Sequence, residues 1–205
     1  MKIIAVGMNY ANHNKEMHNS LLLSEPVIFI KPDSALLKDG KTFFLPDFSS
    51  NIHYETEVVV KINRTGKNIA EQFAHRYYDE ITVGIDFTAR DLQTELRSKG
   101  LPWEISKGFD GAAVTGEFIP LGEAGGDIRN LSFHLDTDGK TVQEGNTADM
   151  LFSVDNIIAY ASRFFTLKMG DLIYTGTPAG VGQVNIGNHL QGYIGDRKVL
   201  DFYVR

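Results

Sequence analysis

Cysteine is absent from this chain of 205 residues. Its absence excludes disulfides, thiolate metal sites and cysteine nucleophiles, and it is consistent with a reducing compartment. Basic residues are also outnumbered, because 20 Lys and Arg stand against 26 Asp and Glu for a formal net charge of −6. Proteins that bind phosphate backbones normally carry a basic patch, and no basic run occurs in the sequence. Nucleic acid is therefore not an expected partner.

Long apolar runs are missing as well. No stretch approaches the roughly 18–20 residues that a membrane-spanning helix needs. The apolar segment near the N-terminus is too short for a signal peptide and predicts a first strand instead. We therefore expect a cytoplasmic protein with no membrane partner. The length suits one domain with a substantial core, so residues 1–205 are predicted to form a single domain.

Short segments rich in β-branched and aromatic residues predict many strands. They cover residues 2–6, 27–31, 42–45, 54–62, 81–87, 112–119, 131–136, 141–144, 171–175, 189–194 and 198–204. Turn signals at 138–139 and 195–196 predict two hairpins. Many strands with few helices predict an α+β domain built around a mixed, curled sheet.

Three helices are predicted, over residues 69–78, 89–98 and 153–165. Ser153 is a plausible N-cap for the last of them. Thr88 and Asp91 have the spacing of a capping box for the helix at 89–98, and the sequence Gly-Leu-Pro at 100–102 predicts its end.

Residues 53–57, His-Tyr-Glu-Thr-Glu, begin the predicted strand that continues to residue 62. Side chains alternate along a strand, so His53, Glu55 and Glu57 are expected on one face. Two glutamates about 6–7 Å apart repel each other and are costly to bury without a partner. A divalent cation bound between them would remove both costs. The alternative is an ordinary solvated strand face.

Asp86 ends a second apolar strand, directly before the helix predicted at 89–98. An aspartate there is commonly an N-cap, but Thr88 already fills that role, which leaves Asp86 free to act as a third carboxylate. Together with Glu55 and Glu57 it would supply three oxygen ligands. The other positions around the cation would be open to water or to a chelating substrate.

Other polar residues follow Asp86. Arg90 and Gln93 are three apart on one helical face, which is either exposed surface or part of a pocket. Lys107 lies between glycine and aromatic residues, as a surface cation or as a buried counter-charge to an anionic substrate. His13 and Glu16 are also three apart, a spacing at which a carboxylate can orient an imidazole as a general base, although solvated surface is the common alternative.

Two segments remain open to more than one interpretation. Residues 12–25 predict either a lid that closes over a site or a plain helix whose leucines pack into the core. The glycine-rich loop at 175–182 fits neither nucleotide-binding motif, but its amides and threonine hydroxyls could hold a carboxylate.

In this order, the motifs resemble the fumarylacetoacetate hydrolase family, and within it the short acylpyruvase and oxaloacetate decarboxylase branch. The resemblance covers nearly the whole chain, in blocks at residues 6–13, 24–32, 53–57, 86–93, 99–103 with Lys107, and 170–182. Any one block is weak, but six in register are specific. The chain departs from the family in lacking the N-terminal domain of its larger members and in its glycines and alanines at 108–113.

The resemblance implies a role for each matching position. It makes Glu55, Glu57 and Asp86 the ligands of Mg²⁺ or Mn²⁺, and it places His13 and Glu16 as a catalytic dyad on a lid. It further makes Lys107 a catalytic cation that contacts substrate, and Arg90, Gln93 and Thr177 substrate-binding residues. A β-roll of mixed sheets and a homodimer are also implied.

The implied activity is metal-dependent cleavage of a C–C bond in a 2-oxo acid through an enolate. The substrates would be 3-acylpyruvates, which are hydrolysed, or oxaloacetate, which is decarboxylated. One alternative is an isomerase or decarboxylase of intermediates such as 2-hydroxyhepta-2,4-diene-1,7-dioate. Another is a protein that binds 2-oxo acids without catalysis, and a plain globular scaffold is the remaining one.

Overall fold

The computed structural model of the chain describes residues 1–16 and 23–205. The strands in these residues are β1 (Ile3–Gly7), β2 (Val27–Lys31), β3 (Leu36–Leu37), β4 (Ile52–Tyr54), β5 (Thr56–Ile62), β6 (Tyr78–Asp86), β7 (Thr88–Ala89), β8 (Ala113–Thr115), β9 (Ile119–Pro120), β10 (Ser132–Thr137), β11 (Lys140–Asn146), β12 (Leu172–Tyr174), β13 (Gly182–Gln183), β14 (His189–Ile194) and β15 (Arg197–Tyr203). The α-helices are α1 (Ala11–Glu16), α2 (Glu71–Ala74), α3 (Arg90–Ser98), α4 (Glu104–Lys107) and α5 (Val154–Phe164).

The strands form three sheets. The largest has eight strands in the order β2-β1-β12-β5-β6-β8-β3, with β9 also paired to β6. It is mixed, because β1 pairs with β12 in parallel while β5 and β6 are antiparallel. A four-stranded sheet has the order β11-β10-β14-β15, and a three-stranded sheet has the order β13-β4-β7. This is the α+β architecture with a mixed sheet that the sequence predicts.

The core lies around the central strands β5 and β6, whose side chains are buried on both faces. Val58, Val59 and Val60 have no exposed surface, which explains why this strand is a continuous apolar run rather than an alternating one. The four-stranded sheet approaches β6 closely at Gly192, where an added Cβ would lie 2.8 Å from Val83. A side chain at this position would push the two sheets apart.

The chain passes from one sheet to another at Glu55. Residues before it form β4 of the three-stranded sheet, and residues after it form β5 of the large sheet. Asp86 ends β6, which pairs with β5, and its backbone N–H donates to the carbonyl of Glu55 at 2.8 Å. The fold therefore brings two of the predicted carboxylates to one corner between sheets.

Several predicted elements differ from the structure. The strand predicted at 42–45 is a single bridge between Phe43 and Val204. The strand predicted at 112–119 divides into β8 and β9 at Gly116, where an added Cβ would lie 2.2 Å from the carbonyl oxygen of Val199. The helix predicted at 69–78 is shortened to α2.

The predicted cap at Thr88 is wrong. Thr88 belongs to β7 and pairs with His53, and the residue before α3 is Ala89, whose side chain makes no capping bond. The Asp91 carboxylate instead accepts from the backbone N–H of Leu92 at 2.8 Å. Strand pairing across the three-stranded sheet has overridden the local preference of threonine for a cap.

Other predicted boundaries are confirmed. The Ser153 hydroxyl caps α5 by accepting from the Asn156 backbone N–H at 3.1 Å. After α3, Gly100 adopts a φ of +64°, the left-handed conformation that ends a helix. Both predicted hairpin turns join neighbouring strands, β10 to β11 and β14 to β15. In the described part of the chain, no helix is both long and apolar enough to cross a membrane.

Candidate active site

Three buried carboxylates meet at one cavity. Each of Glu55, Glu57 and Asp86 offers an oxygen, and these oxygens all lie within 4.8 Å of one another. The three residues are 6%, 1% and 1% exposed. The cavity that they line has a volume of about 40 Å³, whereas a single buried water needs only about 10–15 Å³. The carboxylates therefore converge on a space that is large enough for an ion.

Three cations surround the carboxylates. Lys107 Nζ lies 2.7 Å from Glu55 Oε2 and 2.9 Å from Asp86 Oδ2. Arg90 Nη2 donates to Glu55 Oε1 at 2.6 Å. The third cation is Lys31, whose Nζ lies 2.6 Å from Asp86 Oδ1. The formal charges of the three acids are thus balanced by three bases before any ion is bound.

The neighbouring glutamates are perturbed in opposite directions. Burial alone would raise the pKa of Glu55, but the charges of Lys107 and Arg90 hold it below its usual range. Burial raises the pKa of Glu57 well above its usual range, and the charge of Asp86 adds to this effect. The Gly176 N–H, which donates to Glu57 Oε2 at 2.7 Å, opposes the shift only partly. A divalent cation would stabilise the charged form of Glu57, so the donor set fits Mg²⁺ or a similar ion.

The predicted dyad lies at the same cavity. His13 lines it, and His13 Nδ1 is 3.4 Å from Glu16 Oε2. Both carboxylate oxygens of Glu16 accept from the Gly180 N–H at 3.2 Å. The glycine-rich loop therefore holds Glu16, and Glu16 in turn contacts the imidazole. The lid predicted at 12–25 includes residues 17–22, which lie outside the described residues.

The predicted substrate-binding residues also line this cavity. Arg90 and Gln93 do so from α3, where Arg90 Nη1 donates to Gln93 Oε1 at 2.5 Å. Thr177 does so from the loop after β12, and its hydroxyl donates to the Thr56 carbonyl at 2.9 Å. The structure therefore brings all nine predicted site residues together, and Lys107 is a buried cation rather than a surface one.

His53 is an exception to the predicted alternation. It is not among the residues that line the cavity, and its Nε2 lies 2.8 Å from Asn51 Oδ1. The change of sheet at Glu55 breaks the regular alternation on which that expectation depended.

Several residues at the site were not predicted. Lys31 is the last residue of an apolar strand, and nothing local distinguishes it from an ordinary strand end. Gln143 is buried on β11, and its Nε2 donates to Thr177 Oγ1 at 2.7 Å and to the Pro178 carbonyl at 2.8 Å. Arg97 was detectable, since it lies seven residues after Arg90 and thus on the same helical face.

The family profile of the fumarylacetoacetate hydrolase C-terminal domain matches residues 2–204. The chain belongs to this family. The family predicted from the six sequence blocks is thereby confirmed, and so is its mixed-sheet fold.

Named relatives are similar over most of their length. The oxaloacetate tautomerase YcgM of Escherichia coli is 40% identical over 189 residues, which are 92% of this chain and 86% of the relative. The mitochondrial oxaloacetate tautomerase FAHD1 of Rattus norvegicus is 41% identical over 192 residues, 94% of this chain and 86% of the relative. A solved structure of fumarylpyruvate hydrolase from Pseudomonas aeruginosa, in complex with Mn²⁺ and pyruvate, is 36% identical with a TM-score of 0.92, covering 100% of this chain and 89% of that one.

Proposed function

We propose that this chain is a divalent-cation-dependent enzyme that forms enolates of 2-oxo acids, and that it interconverts the keto and enol forms of oxaloacetate. The observation that carries the proposal is the convergence of Glu55, Glu57 and Asp86 on a cavity that His13 also lines. Two relatives of about 40% identity carry the name oxaloacetate tautomerase, which supports this reaction over the bond cleavage expected from the sequence.

The three carboxylates would hold Mg²⁺ or Mn²⁺. The bound cation supplies Lewis-acid stabilisation of the negative charge that develops on the 2-oxo oxygen. The Pseudomonas relative, whose structure contains Mn²⁺ and the 2-oxo acid pyruvate, supports both the cation and the class of ligand.

The charges of the site favour a ligand with two negative charges. Lys31, Lys107 and Arg90 already balance the three carboxylates, so a dication leaves two positive charges without a partner. Charges that are buried without compensation are costly, and an anion that neutralises them is correspondingly stabilised. Oxaloacetate carries two carboxylates, whereas acetylpyruvate carries one.

His13 is the group suited to move a proton at C3 of the substrate. If Nδ1 donates to Glu16, then Nε2 is free to accept a proton and later return it. Glu16 fixes this tautomer and stabilises the imidazolium that forms. Lys107 and Arg90 contribute positive potential beside the position where the enolate charge would develop.

Hydrolysis of 3-acylpyruvates is the second candidate, together with decarboxylation of oxaloacetate. An enolate also forms when the C3–C4 bond of either compound breaks, and in hydrolysis His13 would take a proton from water. The observation in its favour is the 36% identity to a fumarylpyruvate hydrolase. Isomerisation of a dienedioate would release no smaller product, and a protein that only binds 2-oxo acids would turn over none of these compounds.

Parallel assays with purified protein and Mg²⁺ or Mn²⁺ separate these reactions. We expect rapid loss of the ultraviolet absorbance of enol-oxaloacetate, with slower release of pyruvate from acetylpyruvate and of CO₂ from oxaloacetate. Chelation should abolish the activity, and added metal should restore it. Turnover of only acetylpyruvate or the dienedioate would contradict the proposed reaction, and binding of oxaloacetate with no turnover of any substrate would show a binding protein.

Three further features remain proposals. We propose that α1 moves with a lid formed by residues 12–25 and that the protein is a homodimer. The cytoplasmic location also stays a prediction, while the rat relative is designated mitochondrial.

A further inference from the structure

Arg97 differs from the other cations of the cavity. Arg90 and Lys107 each pair with a carboxylate of the site, as Lys31 does behind it. Arg97 lines the same cavity, but within residues 1–16 and 23–205 its guanidinium has neither an ion-pair partner nor a side-chain hydrogen bond. A cation at the rim of an anion-binding cavity therefore has its donors available for a ligand.

The register of α3 determines where Arg97 lies relative to the buried end. Arg90, Gln93 and Arg97 follow the spacing i, i+3 and i+7, which keeps them on one face of the helix. At 1.5 Å per residue, Arg97 is about 10 Å along the axis from Arg90. Arg90 and Gln93 are buried, whereas Arg97 is exposed. The face thus runs from the three carboxylates outward to a free guanidinium.

An apolar wall lies along the same cavity. Phe29 and Trp103 both line it, and their rings meet edge to face with centroids 5.8 Å apart. Gly7 permits this arrangement, because an added Cβ there would already lie 3.7 Å from the Trp103 ring. The cavity therefore has a charged inner end, an apolar side and a cationic outer end, which matches a short carbon chain with an anion at each end.

We propose that Arg97 binds the second carboxylate of the substrate and thereby selects dicarboxylic over monocarboxylic 2-oxo acids. The inference rests on the proposed function, which assigns the 2-oxo acid end of the substrate to the buried carboxylates and their cation. A guanidinium suits this role, because it can donate two parallel hydrogen bonds to one carboxylate. Arg97 is then a specificity-determining residue, separate from the groups that move protons.

The test measures binding, so that it does not depend on turnover. Pyruvate and 2-oxoglutarate are titrated calorimetrically in the presence of Mn²⁺ into the wild type, Arg97→Met, Arg97→Lys and Lys99→Met. Lys99 is a matched control, because its removal also deletes one positive charge near the end of α3 and breaks only an exposed contact with Glu95.

In Arg97→Met, we expect the affinity for 2-oxoglutarate to fall about tenfold to a hundredfold, the usual worth of a hydrogen bond between charged groups. The affinity for pyruvate should stay unchanged. Arg97→Lys should recover part of the loss, and Lys99→Met should bind both ligands like the wild type.

Three results would overturn the assignment of Arg97 alone. They are an unchanged affinity for 2-oxoglutarate in Arg97→Met, an equal loss for pyruvate, and an equal effect of Lys99→Met. A wild type that binds neither ligand with Mn²⁺ present would instead overturn the proposed function, and the role of Arg97 with it.

Discussion

Lys31 Nζ lies 2.6 Å from Asp86 Oδ1, and both residues are almost completely buried. Burial lowers the pKa of Lys31, although the neighbouring charge of Asp86 opposes this shift. Lys31 also donates to the backbone carbonyls of Lys107 and Ala112. It therefore connects β2 to the segment that carries Lys107, and it holds Asp86 in place at the corner where the carboxylates meet.

Replacing Lys31 should destabilise the fold strongly. Lys31→Met leaves Asp86 without one of its two buried counter-charges, and breaking a buried pair costs about 3–5 kcal/mol. Urea unfolding measures this free energy. Lys61→Met is the control, since Lys61 pairs with Glu80 where both side chains are about one-third exposed, and such a pair contributes about 0–1 kcal/mol. Equal losses in the two variants would show that the buried pair contributes no special stability.

Removal of His13 should separate catalysis from binding. His13→Ala is expected to lower turnover of oxaloacetate by about 10²–10⁴-fold, the usual contribution of a general base. Oxalate should still bind with nearly the same affinity, because no proton is transferred when it binds. His75→Ala is the control, since His75 is exposed and outside the cavity. If turnover and oxalate affinity fall together, His13 has a structural role instead.

Gln143 should position the loop that carries Thr177. Its Oε1 accepts from the Thr56 backbone N–H at 3.0 Å, while its Nε2 contacts Thr177 and Pro178. Gln143→Met leaves buried groups unsatisfied, at a cost of about 1–3 kcal/mol for each, and we expect it also to raise KM.

The matched control for Gln143 is Gln183→Met, because Gln183 makes one exposed hydrogen bond to the Ser50 carbonyl. Urea unfolding and steady-state kinetics are compared for both variants. A normal KM in Gln143→Met would leave this residue a purely structural role.

The contacts of Asp201 predict how stability depends on acid. Partial burial would raise its pKa, but hydrogen bonds from Lys198 and His189 lower it to about 2. An unfolded aspartate titrates near 3.9. Because the folded pKa is the lower one, this stabilisation is fully present above about pH 4 and is lost as the pH falls toward 2.

Asp201→Asn should therefore reduce the free energy of unfolding at about pH 5, and the difference from the wild type should shrink as the pH approaches 2. Urea unfolding across this range measures both quantities. Asp110→Asn, at an exposed position, controls for the change in net charge. A difference from the wild type that stays constant with pH would contradict the shifted pKa.

Part of this site was predictable because its residues follow local patterns. Glu55 and Glu57 alternate on an apolar strand, Asp86 ends another strand, and His13 and Glu16 have helical spacing. These patterns identify polar side chains at conspicuous positions, and the ordered motif blocks identify the family. Their convergence depends on pairing between β5 and β6, which are distant from β12 and α1 in sequence.

The remaining features depend on contacts that no local pattern contains. Thr88 has the sequence of a cap, but pairing with His53 places it in a strand. Lys31 is paired with Asp86 across 55 positions of sequence, and Gln143 reaches Thr56 across 87. The break at Glu55 likewise follows from the membership of β4 and β5 in different sheets.

The most direct test of the central claim is calorimetric titration of Mg²⁺ and Mn²⁺ into the metal-free protein and its Glu57→Gln variant. This substitution keeps an oxygen that can accept from the Gly176 N–H, and Glu57 has no cationic side chain bonded to it, so the fold should be retained. Glu144→Gln, at an exposed position, is the control. We predict one site in the wild type and the control, and an affinity lowered more than about tenfold in Glu57→Gln, since even changes behind the ligands cost about 10–100-fold. Unchanged affinity in Glu57→Gln, or no binding by the wild type, would contradict a metal site at these carboxylates.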